Sequence, residues 1–135
     1  MPGSLQARWA IALTALSAWA IAVPWLAATI GLELEVATRL EIADHVVPGL
    51  VMLATAAVLA ARGGPSGGGV VWIGASGVAF LTGLWITATH VPLIPAAIEG
   101  LAPWGAALLH LSAGPPILAV GLWLLLRGQL FGGPP

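Results

Sequence analysis

Residues 104–126 read WGAALLHLSAGPPILAVGLWLLL, 23 positions with no Asp, Glu, Lys or Arg, bounded by Pro103 and Arg127. A helix over that stretch is about 35 Å long at about 1.5 Å per residue, enough to cross a hydrocarbon core of about 30 Å. Working back along the chain, residues 8–31, 39–61 and 70–89 are apolar stretches of similar reach. Composition agrees: 59% of the residues are hydrophobic and 7% are charged, against roughly 25% charged in a soluble domain, and the mean hydropathy is +1.02. The expected fold is all-α, an integral membrane four-helix bundle running up-down-up-down. It forms a single domain over residues 1–135, with 132–135 a short disordered tail.

The basic residues orient the bundle, because Lys and Arg in short loops stay on the cytoplasmic side. Arg8, Arg62 and Arg127 fall at one end of the spans, leaving Arg39 alone at the other. Both termini are therefore expected in the cytoplasm. The opposite, extracytoplasmic end receives all five carboxylates, Glu33, Glu35, Glu41, Asp44 and Glu99, and all three histidines, His45, His90 and His110. Trp9, Trp72 and Trp123 lie near the inner boundary, and Trp25, Trp85 and Trp104 near the outer one, as interfacial aromatic belts require. A multi-pass protein of the cell membrane follows, with the lipid bilayer its first partner. Ala20-Ile21-Ala22 fits a signal-peptidase site, yet the segment is expected to be retained as the first span.

Several function classes drop out. With no cysteine the chain offers no disulfide, thiolate ligand, iron-sulfur cluster or covalent haem attachment. No phosphate-binding glycine motif and no basic patch occur, so nucleotide or nucleic-acid binding has no basis. Ala75, Ala79 and Gly83, with Gly74 and Gly77 nearby, let helix 3 approach its neighbours closely. Pro24, Pro48 and the Pro115-Pro116 pair remove backbone donors and are expected to kink helices 1, 2 and 4.

The histidines carry the chemistry. An ionisable side chain in hydrocarbon costs a few kcal/mol unless it faces a partner. Thr38 followed by Glu41 fits a capping box that starts helix 2, and Pro103 suits the first turn of helix 4. His45 and His110 each lie seven residues past those starts, about 10 Å down parallel helices that are diagonal across the bundle. One turn beyond them come Gly49 and Gly114, glycines that leave room for a flat porphyrin edge. The pattern fits a b-type haem held between His45 and His110. Arg39 could pair with a propionate, or simply with Glu35 or Glu41. His90 is expected at the membrane interface and is a possible further ligand.

The chain resembles one half of the haem A synthase family, and the related four-helix b-type cytochromes. The resemblance covers residues 41–125 and is carried by Glu41 and His45, by GLWITATHVPLIP at 83–95 and by LLHLSAG at 108–114. It implies bis-histidine haem ligation by His45 and His110, with Glu41 the catalytic glutamate in oxidation of a haem substituent. Val46 departs from the arginine that often follows the helix 2 histidine in that family. The chain also has one four-helix unit where most members fuse two, which implies a homodimer or a place in a larger complex.

Three readings stay open at this point. One is a haem protein for electron transfer or haem-substituent oxidation, as an oxidoreductase or a non-catalytic electron-transfer subunit. Another is an outward-facing copper- or zinc-binding membrane protein or permease, using His45, His90, His110 and nearby carboxylates. The last is a small structural or assembly subunit of a larger membrane complex.

Overall fold

The computed structural model describes residues 3–31, 40, 42–62 and 68–130, and among these it is helical throughout with no strand. Arg39, Glu41, the capping-box Thr38 and the tail 132–135 lie outside the described residues. The elements are α1 (Gly3–Thr29), a π-helical turn (Ile42–Val46), α2 (Val47–Arg62), α3 (Gly68–His90), α4 (Leu93–Ile98), α5 (Trp104–Leu111) and α6 (Gly114–Leu130). Four stretches are long and apolar enough to cross a membrane: Ala7–Thr29, Ile42–Ala61, Gly69–Ile98 and Trp104–Arg127. We refer to them as spans 1 to 4.

The spans alternate in direction, as contacts at several levels show. Trp9 meets Trp123, with ring centroids 4.8 Å apart, and Trp19 meets Ser112, so spans 1 and 4 are antiparallel. Gly114 packs on Thr87, Gly83 on Ile117 and Leu118, and Gly121 on Phe80, so spans 3 and 4 are antiparallel too. All three histidines gather toward one end of the bundle. The core between the spans is built from Leu13, Ala20 and Val23 of α1, Met52, Ala56 and Leu59 of α2, Trp72, Ala79 and Ile86 of α3, and Ile117 and Leu124 of α6. Dispersion and close fit hold such an interior together in lipid, where water exclusion supplies little.

The tightest contacts are at glycines. A Cβ built on Gly83 would fall on the Leu118 backbone nitrogen, and one on Gly121 would fall on that of Phe80. Spans 3 and 4 therefore touch at backbone level, as the small-residue stripe of helix 3 leads one to expect. Gly74 and Gly77 have nothing within 4 Å of a would-be Cβ, so they face outward and take no part.

Prolines shape the irregular places. Helix α1 continues through Pro24 without interruption. Span 4 is broken, not merely kinked: α5 ends at Leu111 and α6 starts at Gly114. Pro115 and Pro116 have no N–H for the carbonyls of Leu111 and Ser112, so the disruption falls one turn upstream of the prolines themselves. Pro48 likewise deprives the Asp44 carbonyl of a donor, and the turn there widens to a π-helix.

Span 3 runs further than residues 70–89. After His90 the chain steps through Val91 and Pro92 into α4, and the amide of Val91 still donates to the Thr87 carbonyl at 2.9 Å. The extension stops at Gly100, whose φ of +74° suits glycine. There Leu101 N–H donates to the Ala96 carbonyl and Gly100 N–H to that of Ala97, a Schellman closure. Trp72 also departs from expectation, since it is enclosed in the core instead of lying in an interfacial belt. Trp25, Trp85, Trp104 and Trp123 are half-exposed, as a belt residue would be.

Candidate functional site: a buried imidazole cluster

Three spans each deliver one histidine to the same place. His45 is 0%, His110 1% and His90 6% exposed. The His45 and His90 rings have centroids 4.5 Å apart, His45 and His110 5.4 Å, and His90 and His110 5.5 Å. Nε2 of His45 and Nε2 of His90 are in hydrogen-bond contact at 3.0 Å.

Each histidine stands at an irregularity of its helix. His45 is in the π-turn, His90 is the last residue of α3, and His110 is in the final turn of α5, two residues before the break. Widened turns and interruptions of this kind recur at functional sites. Non-helical backbone at membrane depth is tolerated where protein or a water-filled cavity surrounds it. The C-terminal ends of α3 and α5 both lie at the cluster, and the partial negative charge there favours a cation.

Two of the imidazoles are held by their own helices. Nδ1 of His90 bonds the Ile86 carbonyl at 2.8 Å and lies 3.0 Å from the Thr89 hydroxyl. Nδ1 of His110 bonds the Ala106 carbonyl at 2.9 Å. A carbonyl only accepts, so Nδ1 carries the proton in both rings, and the neutral ring then keeps a lone pair on Nε2. His90 Nε2 thus accepts from the Nε2–H of His45.

The break after His110 is pinned from two sides. Trp19 Nε1–H donates to Ser112 Oγ at 2.9 Å, and Ser112 Oγ–H donates to the Leu109 carbonyl. Ser112 N–H donates to that same carbonyl at 3.1 Å. On the other side, a Cβ on Gly114 would come within 2.6 Å of the Thr87 amide nitrogen. Trp19, Thr87 and Ser112 carry no ligand chemistry in the sequence, and only the packing reveals their role beside His110.

The structure brings His45, His90 and His110 together, His90 being buried with the other two. Gly49 and Gly114 lie near the cluster but are closed off. A Cβ on Gly49 would meet Ile21 Cγ1 at 2.5 Å and the Ser17 carbonyl at 3.3 Å. Asp44 is half-buried and Glu99 exposed. Among the described residues, no group of three or more His, Asp or Glu side chains is placed so that it could hold a metal ion. The present arrangement is a hydrogen-bonded imidazole cluster.

No family model matches the chain, and no curated protein or solved structure is significantly similar to it.

Proposed function

We propose that this chain is a multi-pass membrane protein that binds one transition-metal ion of the copper or zinc class through His45, His90 and His110. The carrying observation is the convergence of three buried imidazoles from three spans, two of them with Nδ1–H held by a backbone carbonyl. Metal-binding histidines are ordinarily held that way, and imidazole suits copper and zinc.

Distances support the reading. With nitrogen about 2.1 Å from a tetrahedral ion, two ligating imidazoles have ring centres about 5.2 Å apart and nitrogens about 3.4 Å apart. The observed centroid separations of 4.5, 5.4 and 5.5 Å straddle the first figure. The His45–His90 nitrogen contact of 3.0 Å needs to open by only a few tenths of an ångström. Binding replaces that one hydrogen bond, and His45 moves its proton to Nδ1 so that Nε2 becomes a donor to the ion.

A haem between His45 and His110 fits these residues poorly. His45 Nε2 faces His90, and the space that Gly49 and Gly114 would leave for a porphyrin edge is taken by Ile21 and Thr87. Arg8, Arg62 and Arg127 at the end opposite the cluster support an orientation with both termini cytoplasmic and the imidazoles toward the extracytoplasmic side.

The test is a metal titration of purified protein in nanodiscs with zinc and with cuprous ion. One ion per chain is expected. Alanine at His45, His90 or His110 should each weaken it by at least the about 10- to 100-fold that loss of an outer-shell partner costs. A Soret band in the purified protein, or unchanged affinity in the His90→Ala variant, would overturn the reading.

A further inference from the structure

We propose that the end of the bundle opposite the histidines holds an anionic phospholipid, its phosphodiester bound by Arg8 and Arg127 beside the Trp9–Trp123 pair. The site is separate from the imidazole cluster and does not depend on what the cluster binds.

Charge is unbalanced from one end of the bundle to the other. The five carboxylates, Glu33, Glu35, Glu41, Asp44 and Glu99, flank the histidine ends of the spans, and no Asp or Glu occurs before Glu33, between Asp44 and Glu99, or after Glu99. Arg8, Arg62 and Arg127 fall at the other end. A guanidinium keeps its charge at any ordinary pH, and an uncompensated charge at the edge of hydrocarbon is costly. The sequence places no carboxylate side chain there to compensate it. The anions resident at that depth are the phosphates of the bilayer.

Two of the arginines are brought to one place. Trp9 of span 1 and Trp123 of span 4 have ring centroids 4.8 Å apart. The Arg127 guanidinium stands over the Trp123 ring, 5.1 Å from its centroid, and exposed Arg8 adjoins Trp9 in the chain. Both cations lie at the limits of apolar spans, Ala7–Thr29 and Trp104–Arg127, which is the level of lipid headgroups. Trp9 serves as the platform: it packs against the core with its Nε1 enclosed, whereas Trp123 is half-exposed. Orientation in the membrane requires arginines at this end, but it does not require two of them gathered on a shared pair of indoles.

The arrangement suits a phosphodiester. A guanidinium whose face rests on an indole keeps its in-plane N–H groups for an acceptor, and two phosphate oxygens accept from that fork together. Two cations beside one phosphate also select among lipids. Phosphatidylcholine brings its own quaternary ammonium, which the arginines repel, while phosphatidylglycerol brings no cation. Ile11 and Leu126, exposed and within one turn of the arginines, offer apolar surface to the acyl chains.

The test uses phosphatidylglycerol or phosphatidylcholine with a nitroxide on one acyl chain, added in trace to phosphatidylcholine bilayers containing the protein. The motionally restricted fraction of each label gives their relative association constants. The wild-type chain should prefer phosphatidylglycerol. Arg8→Gln and Arg127→Gln should each cut that preference by about fivefold, the effect of one basic residue at an anionic surface. Lysine at either position should restore much of it, and Trp123→Leu should weaken it by releasing Arg127. Arg62→Gln removes a charge of the same end on span 2 and should change the preference little. Unchanged helical circular dichroism certifies the fold of each variant. Equal losses from all three glutamine variants would overturn the site and leave only diffuse attraction to an anionic surface. Absence of any preference in the wild-type chain would overturn it too, and displacement of the labelled lipid by inorganic phosphate would make the ligand a free anion instead.

Discussion

Nε2 of His90 accepts a hydrogen bond from Nε2 of His45 at 3.0 Å, although 45 residues separate them in the chain. The direction of that bond is fixed from a distance. The Ile86 carbonyl claims the Nδ1 proton of His90, which leaves Nε2 as the acceptor. The Ala106 carbonyl does the same for His110. Two rings therefore carry their proton on Nδ1, and under the proposed metal binding only the third has to move its proton, from Nε2 to Nδ1.

That arrangement predicts a nitrogen spectrum. In metal-free protein labelled with ¹⁵N at histidine, His90 and His110 should be neutral rings with Nδ1 protonated and Nε2 bare. His45 should carry its proton on Nε2. On zinc addition all three should report Nδ1–H with a metal-shifted Nε2. Finding His90 or His110 with a bare Nδ1 in either state would contradict the carbonyl assignments.

The glycines predict a contrast within a single helix. A side chain on Gly83 meets the Leu118 backbone, whereas one on Gly74 meets nothing. Gly83→Ala should destabilise the bundle by about 1–3 kcal/mol, the usual cost of overpacking. Gly74→Ala should be neutral or stabilise by up to about 1 kcal/mol, because glycine is the poorer helix former. Reversible unfolding in mixed micelles measures both, and similar effects at the two positions would mean that the Gly83–Leu118 contact is not what fixes spans 3 and 4.

Much of this architecture was legible in the sequence. Four long, predominantly apolar stretches separated by short polar or glycine-rich loops leave little choice but four helices, and the stripe of Ala75, Ala79 and Gly83 marks the packed face of span 3. His45 and His110 stand out by their matched depth, seven residues past Thr38 and Pro103, and by the glycine four residues beyond each. His90 is less legible: a helix ending at Thr89, before Pro92, leaves it just past a helix end, and its burial in the cluster follows from the helix running through it. The helix instead steps through Val91 into Leu93–Ile98, which carries His90 inside the bundle. Gly49 and Gly114 were ambiguous in principle, because a glycine that admits a cofactor and one that admits a neighbouring helix look alike until the neighbour is placed. The Trp19–Ser112 bond spans 93 positions, and no periodicity encodes it.

That bond yields a third prediction. Trp19→Phe removes the indole donor while keeping an apolar ring, and Ser112→Ala removes the acceptor. Each should cost about 0.5–1.5 kcal/mol, and the double variant should cost little more than either alone, because both delete the same interaction. Additive losses in the unfolding free energies would show that the two side chains act independently. Loss of metal affinity in Ser112→Ala should be modest, since Ser112 positions the turn after His110 and contacts no ligand atom.

The break in span 4 supplies the last prediction. Replacing Pro115 and Pro116 together by Ala returns two N–H donors that the carbonyls of Leu111 and Ser112 can accept, and alanine is the best helix former. Helices α5 and α6 should then fuse. The amides at positions 115 and 116 should exchange slowly with solvent, and the stability of the bundle should rise or hold. Metal affinity should nevertheless fall. A continuous helix re-aims the turn that carries His110, and a ligand displaced by even about 1 Å leaves the geometry that a metal site requires. More stable protein with weaker metal binding is the expected signature. If the fused helix bound metal as tightly as the parent, the break would serve some end other than aiming His110 at the cluster.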